Sequence, residues 1–261
     1  LNLTDKVAIV TGGSRGIGRA ISIALADAGA KVIVASRTEM EVSDNIAHAQ
    51  YASGTIHQTV NIIRENGGIA LAVKCDVSEA CDISTLIEST MESFGRIDIL
   101  VSNAGIDCEA PVVDLDIETL DQCIAVNVRA PLLLCKMALP HMLSQNSGGS
   151  IFAITSGSAR AYRLGRVGYS MSKAALERTF LSLAEELKSD NIAVNLLGPG
   201  RVDTWMNRRG DWPGTGHIPM VHPDEIKPAA VWLAAQNGNS FTGNVVESSE
   251  FGMNWGVSRY V

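Results

Sequence analysis

A tyrosine and a lysine four residues apart, Tyr169 and Lys173 in Gly168-Tyr169-Ser170-Met171-Ser172-Lys173, are the residues whose types and spacing best suit acid–base chemistry. The apolar Ala174, Ala175 and Leu176 follow, and the segment reads as a helix, on which residues four apart share one face. An unperturbed phenol has a pKa of about 10, too high for ready proton exchange near neutrality. An ammonium one turn away favours the phenolate and is expected to draw that value down. Such a pair can give a proton to an oxygen or take one from it. The same spacing recurs on solvated helices, so the rest of the chain must decide whether it marks a site.

The elements that would position the pair alternate. Short apolar, β-branched runs predict buried strands over 7–10, 32–35, 70–73, 97–101, 151–154, 192–196 and 244–247. Helical patterns fall between them, over 16–28, 55–66, 83–94, 119–144, 169–188 and 223–235. This order implies right-handed βαβ units. The expected fold class is therefore α/β: a Rossmann-type, doubly wound parallel sheet of about seven strands with helices on both faces. Pro131 and Pro140 should kink or break the fourth helical pattern. The polar stretch 38–53 reads as an insertion, and 201–222 as a loop that could close over a site.

Composition narrows the function. The 261 residues fit one domain, 1–261, better than two. With 46% hydrophobic and 19% charged residues the chain has the balance of a globular protein. A net charge of -7 gives no general attraction to nucleic acid or to an anionic membrane, and neither is expected as a partner. No apolar run is expected to reach spanning length, and Leu1-Asn2-Leu3-Thr4-Asp5-Lys6 lacks the pattern of a signal peptide. Five cysteines without a C-x-x-C point to free thiols in a reducing, cytoplasmic setting. The five scattered histidines predict no metal site.

The first strand leads through Thr11-Gly12-Gly13-Ser14-Arg15-Gly16-Ile17-Gly18 into a helix. Glycines there allow a sharp turn and close approach to a phosphate, and the helix N-terminus attracts negative charge. The strand before and the helix after favour dinucleotide binding over a glycine-rich turn without a ligand. At the end of the second strand, where a carboxylate would hold the ribose of NAD, stand Ser36 and Arg37. Arg37 can fork onto a 2′-phosphate and Arg15 can add a second cation, so NADP(H) is favoured over NAD(H). Glu39 and Glu41 lie close enough to weaken that preference.

Thr11–Gly18, Ser102-Asn103-Ala104-Gly105, Asn127, Ser156, Tyr169 with Lys173, and Gly198-Pro199-Gly200 together resemble the short-chain dehydrogenase/reductase family in order and spacing. The resemblance implies Tyr169 as acid/base and Lys173 as the group that lowers its pKa and binds the nicotinamide ribose. It implies that Ser156 hydrogen-bonds the substrate oxygen and that Asn127 holds a water-linked proton path. Asp76 and Val77 would meet the adenine, Asn103, Ala104 and Gly105 its ribose, and Pro199, Gly200, Val202 and Thr204 the nicotinamide. The family also implies a small-molecule carbonyl or alcohol substrate and a homotetramer, with a dimer as alternative.

Two departures stand out. Ser102 replaces the family's first asparagine, and Ser248-Ser249-Glu250-Phe251-Gly252 replaces its usual Val-Asp-Gly-Gly-like stretch. The expected function is interconversion of a carbonyl and a secondary alcohol. The alternatives are a 3-oxoacyl-carrier-protein reductase-like enzyme and a non-catalytic dinucleotide sensor. Ser156, Ser158, Tyr162, Tyr169, Trp205 and Met206 are the expected substrate contacts, with Ile106 and Cys108 nearby. Arg160, Arg163 and Arg166 are candidates to steer an acidic substrate, against a solvated basic loop or a subunit contact.

Overall fold

The computed structural model describes residues 1–40, 54–208 and 219–256. Among them, β1 (Val7–Thr11), β2 (Lys31–Ser36), β3 (Ile69–Lys74), β4 (Ile99–Ser102), β5 (Gly149–Ile154), β6 (Ile192–Gly198) and β7 (Asn244–Glu247) form one sheet. Its order is β3-β2-β1-β4-β5-β6-β7, and every pairing is parallel. The helices are α1 (Gly16–Asp27), α2 (Ile56–Glu65), α3 (Ala80–Phe94), α4 (Ile117–Ile124), α5 (Ala130–Ser144), α6 (Val167–Leu187), α7 (Trp205–Arg208) and α8 (Lys227–Ala234). This is the Rossmann-type, doubly wound arrangement expected.

All five residues of β1 and all seven of β6 are buried, because a parallel sheet is covered on both faces and needs apolar side chains on each. Alternate residues therefore feed two cores. Ile9, Ile33, Leu100 and Ile151 pack with Leu86 of α3, Leu134 of α5 and Phe180 of α6. Val10, Val34, Val101 and Phe152 pack on the opposite side with Leu25 of α1, Val60 of α2 and Leu233 of α8. Local chemistry sets the helix ends. Thr55 and Gln58 form a reciprocal capping box at the start of α2, and Gly95, at φ +70°, closes α3. β1 pairs with β2 on one side and β4 on the other, so the order in which strands are added reverses there and a crevice opens beyond the strand carboxyl ends.

The fourth helical pattern departs from expectation. It runs unbroken from Ile117 to Ser144, 28 residues, long and apolar enough by length and composition to cross a membrane. Here it is a core helix: Cys123, Val126, Leu134, Ala138 and Met142 are buried. Pro131 does not break it. Its missing N–H leaves the carbonyl of Asn127, four residues earlier, without the usual α-helical donor, and the backbone widens into a π turn over Ala125–Arg129. The last helical pattern opens as a 3₁₀ turn, Pro223–Ile226, before α8. Residues 41–53 of the expected insertion and 209–218 of the expected loop lie outside the described residues.

Phe180 is wholly buried against the sheet. Phe180→Ala should destabilise the fold by about 3–5 kcal/mol, read as a lowered denaturant midpoint with an unchanged slope.

Candidate active site

A cavity of about 620 Å³ occupies the crevice at the carboxyl ends of β1, β2, β4, β5 and β6. One end is the glycine turn. Gly12 holds φ +67°, the left-handed region that glycine adopts freely. A Cβ on Gly18 would lie 2.2 Å from the Gly12 carbonyl and 2.5 Å from Asn103 Nδ2, so only a hydrogen fits where α1 meets the turn. Arg15 at the N-cap gives no side-chain cap, and Gly16, Ile17 and Gly18 line the cavity at this helix end. The first amides of α1 thus face a space suited to an anion. The strand ends are braced by Thr11, whose Oγ1 accepts from the amides of Asn103 (3.1 Å) and Ala104 (3.2 Å), while Asn103 Nδ2 donates to the Thr11 carbonyl at 2.8 Å. The residues present therefore fit a dinucleotide whose diphosphate meets the turn.

At the far side of α1 the cavity is lined by Ser14, Arg15, Ser36, Arg37, Asp76 and Val77. Arg37 is more than half exposed and pairs with Asp76 at 3.5 Å. Burial and the neighbouring Arg37 charge both hold Arg15 below its ordinary value, which marks two cations close together. Glu39 turns away to Lys74, at 3.3 Å, and so does not neutralise Arg37. Glu41 lies outside the described residues.

The tyrosine–lysine pair lies at the opposite end. Tyr169 and Lys173 are both buried on α6, and both line the cavity with Ser156. Lys173 Nζ donates to the carbonyl of Ile154, the last residue of β5, at 2.9 Å. Ser156 follows that strand in an extended conformation, and its Oγ accepts from the Ser158 amide at 3.2 Å. Thr155 between them donates to the buried Glu177, at 2.8 Å, which ties the β5 end back to α6.

On balance the phenol is raised rather than drawn down. Burial pushes Tyr169 up to about 12, and the Asp107 carboxylate adds to the rise. The opposing influences are the Arg166 guanidinium and a side-chain hydrogen bond with Ser156. Lys173 stands 5.8 Å from the ring centroid and is itself pushed down to about 8 by burial. Desolvation prevails because both groups leave water together. Arg166 stands nearer: its Cζ is 4.6 Å from the ring centroid, and it pairs with Asp107 (2.6 Å) and Glu109 (2.5 Å).

Other expected residues divide between cavity and scaffold. Gly105, Ile106, Pro199, Gly200, Thr204, Trp205 and Met206 line the cavity. Asn127 does not; its Oδ1 accepts from the Ile106 amide and its Nδ2 donates to the Ile106 carbonyl, both at 2.9 Å, and to Ser172 Oγ at 3.0 Å. Its side chain is spent on holding the segment after β4 against α6. Val202 is buried outside the cavity lining, in an isolated bridge to Val221. Ser158 and Cys108 are buried outside the cavity lining, and Tyr162 is fully exposed, so the fold does not bring these three to the cavity. Arg160 pairs with Glu177 and Glu247, and Arg166 with Asp107 and Glu109, so carboxylates of the chain already occupy two of the three candidate steering arginines. Asp107 and Glu109 were invisible in the sequence because nothing local pairs them with Arg166. Thr11 was legible as a hydroxyl heading the glycine turn.

The short chain dehydrogenase family model matches residues 6–211. The chain belongs to the short-chain dehydrogenase/reductase family. It is 32% identical over 251 residues to glucose 1-dehydrogenase 2 of Bacillus subtilis, covering 93% of this chain and 92% of that protein. It is 33% identical over 257 residues to a 3-oxoacyl-[acyl-carrier-protein] reductase of Synechocystis, covering 94% and 98%. Among solved structures, a metagenomic short-chain oxidoreductase in complex with NADP superposes with a TM-score of 0.75 at 29% identity, covering 94% and 97%. A 7α-hydroxysteroid dehydrogenase with NADH and 7-oxo glycochenodeoxycholic acid does so with a TM-score of 0.80 at 29% identity, covering 94% and 93%. As a member of this oxidoreductase family, the chain has a fold that takes a nicotinamide dinucleotide.

Gly18→Ala should weaken dinucleotide binding at least about tenfold, because the added methyl displaces the Gly12 carbonyl and Asn103 together. Titration of the protein's fluorescence with reduced and oxidised dinucleotides would measure the loss.

Proposed function

We propose that the chain is an NADP(H)-dependent oxidoreductase that interconverts a small-molecule carbonyl and a secondary alcohol by hydride transfer, with Tyr169 as acid/base. The observation that carries this reading is the meeting of Tyr169, Ser156 and Lys173 in the wall of the cavity whose other end is the glycine turn. Residues 1–261 act as one dinucleotide-binding and catalytic unit, with 201–222 bearing on the substrate through Trp205 and Met206. A bound nicotinamide supplies or accepts the hydride, chemistry no side chain here can perform.

The remaining tasks fall to the protein. The α1 amides with Gly12, Ser14, Gly16, Ile17 and Gly18 hold the diphosphate. Asp76 and Val77 flank the adenine, and Asn103, Ala104 and Gly105 line its ribose. Pro199, Gly200, Val202 and Thr204 shape the nicotinamide end, and Lys173 binds the ribose beside it. Arg37, with Arg15, binds a 2′-phosphate, and the absence of a carboxylate at Ser36 supports NADP(H) over NAD(H). Asn127 fixes the segment on which Ile106 sits, and a water-linked proton path to Lys173 would run beside it. As negative charge grows on the carbonyl oxygen, the Ser156 and Tyr169 hydroxyls donate to it, and Tyr169 delivers the proton.

A phenol held at about 12 starts protonated at neutral pH, which suits reduction. An acyl-carrier-protein-linked 3-oxoacyl substrate is the second reading, favoured by the Synechocystis relative. Five free thiols support a reducing, cytoplasmic compartment. Exposed Leu132 and Leu143 on α5, with Val167 and Met171 on α6, support association of copies through these helices into a homotetramer, or a dimer. A monomer in sedimentation at micromolar concentration would contradict both.

The experiment is a panel of ketones, aldehydes and alcohols with NADPH and NADH, followed by nicotinamide absorbance. Tyr169→Phe should remove turnover by a factor of about 10³ or more while leaving dinucleotide binding intact; retained turnover would sink the reading. Arg37→Ala should raise KM for NADPH about tenfold and leave NADH nearly unchanged.

With the parent enzyme, reduction should stay flat through neutrality. Alcohol oxidation, which needs the phenolate, should rise with pH.

A further inference from the structure

We propose that Arg166 is a positioning residue for the Tyr169 proton: clamped by Asp107 and Glu109, its guanidinium stabilises the phenolate and sets the pH range of proton exchange. This rests on the reading of Tyr169 as acid/base.

Arg166 stands at the N-cap of α6, three residues before Tyr169. Its side chain is 11% exposed, and those of Asp107 and Glu109 are 19% and 26% exposed, so the three charges interact with little screening. Asp107 accepts a hydrogen bond from Nη2 and the Glu109 carboxylate lies 2.5 Å from Nε, so two carboxylates hold the guanidinium beside the ring. Its Cζ lies 4.6 Å from the ring centroid, against 5.8 Å for Lys173 Nζ. A guanidinium is also the cation that persists. Lys173, brought to about 8 by burial, loses its charge as the solution turns alkaline.

Among the described residues, the charged and titratable groups that act on the phenol each have a place in this arrangement. Asp107, from the segment after β4, raises it; Glu109, from the same segment, acts through Arg166. Cys123 of α4 raises it weakly, and Cys108 lies against Cys123. Ser156, after β5, lowers it through its hydroxyl, and Lys173 lies one turn along α6. Arg166 is the strongest influence that lowers it, and Asp107 the strongest charge that raises it. The clamp therefore has a built-in opposition: one partner that holds Arg166 in place also works against it.

Phenolate absorbance reads the Tyr169 proton directly when each protein is compared with the same protein carrying Tyr169→Phe. Asp107→Asn should lower the midpoint by about one pH unit, bringing it into a convenient range, with Glu109 still holding the guanidinium. Adding Arg166→Met should raise the midpoint again by about one to two units, and adding Arg166→Lys should leave it within reach of the Asp107→Asn value. The acidic limb of alcohol oxidation should move in step. An identical midpoint in Asp107→Asn with and without Arg166→Met overturns the proposal, as does a Lys variant displaced as far as the Met variant. If the Met variant does not fold, Arg166→Gln replaces it under the same criteria. An optical midpoint that moves while the oxidation profile does not would condemn Tyr169 as acid/base and leave the role of Arg166 intact.

Discussion

A lysine ammonium taken out of water must find acceptors, and that requirement organises this molecule. Lys173 is 5% exposed, and its Nζ donates to the carbonyl of Ile154, where β5 ends. A buried charge without such a partner would cost several kcal/mol. The bond can form only if α6 lies across the carboxyl end of β5 in one register, which brings Tyr169 beside Ser156. The same contact is reinforced one turn later, where Glu177 accepts from Thr155. Helix and strand are thus locked by polar contacts as well as by Phe180 and Leu176 in the core beneath.

The other elements of the cavity follow a similar logic: polar side chains near the strand ends are spent on the backbone of neighbouring strands. Thr11 and Asn103 join β1 to β4, and Asn127 joins the segment after β4 to the widened turn before α5. These bonds leave the cavity wall rigid where the dinucleotide and the reacting oxygen are proposed to sit. They also explain why Asn127 serves the site without lining it. The π turn that presents this residue comes from Pro131, whose ring removes one donor and shifts the helix by a residue.

Charge around the phenol is balanced more finely than a tyrosine–lysine pair suggests. Desolvation raises Tyr169 and lowers Lys173, so burial alone would leave a poor acid beside a weakened cation. Asp107, Glu109 and Arg166 form a further cluster of charge beside the ring. In such surroundings the dielectric is low and the nearest charges dominate, so a carboxylate and a guanidinium a few ångströms away can outweigh more distant groups.

The sequence by itself determined the alternation of strands and helices, the parallel sheet, the glycine turn, and the placing of Tyr169 and Lys173 on one helix face. Each of these is written in short-range periodicity or spacing, which a chain carries wherever it folds. Only the tertiary structure decided the direction in which the tyrosine and lysine titrate, because that depends on how deeply each is buried. It alone brought Asp107 to Arg166 across 59 positions, turned Glu39 toward Lys74, and left Tyr162 in solvent. It also turned an expected break at Pro131 into a continuous, widened helix, since packing against the sheet outweighed one lost hydrogen bond.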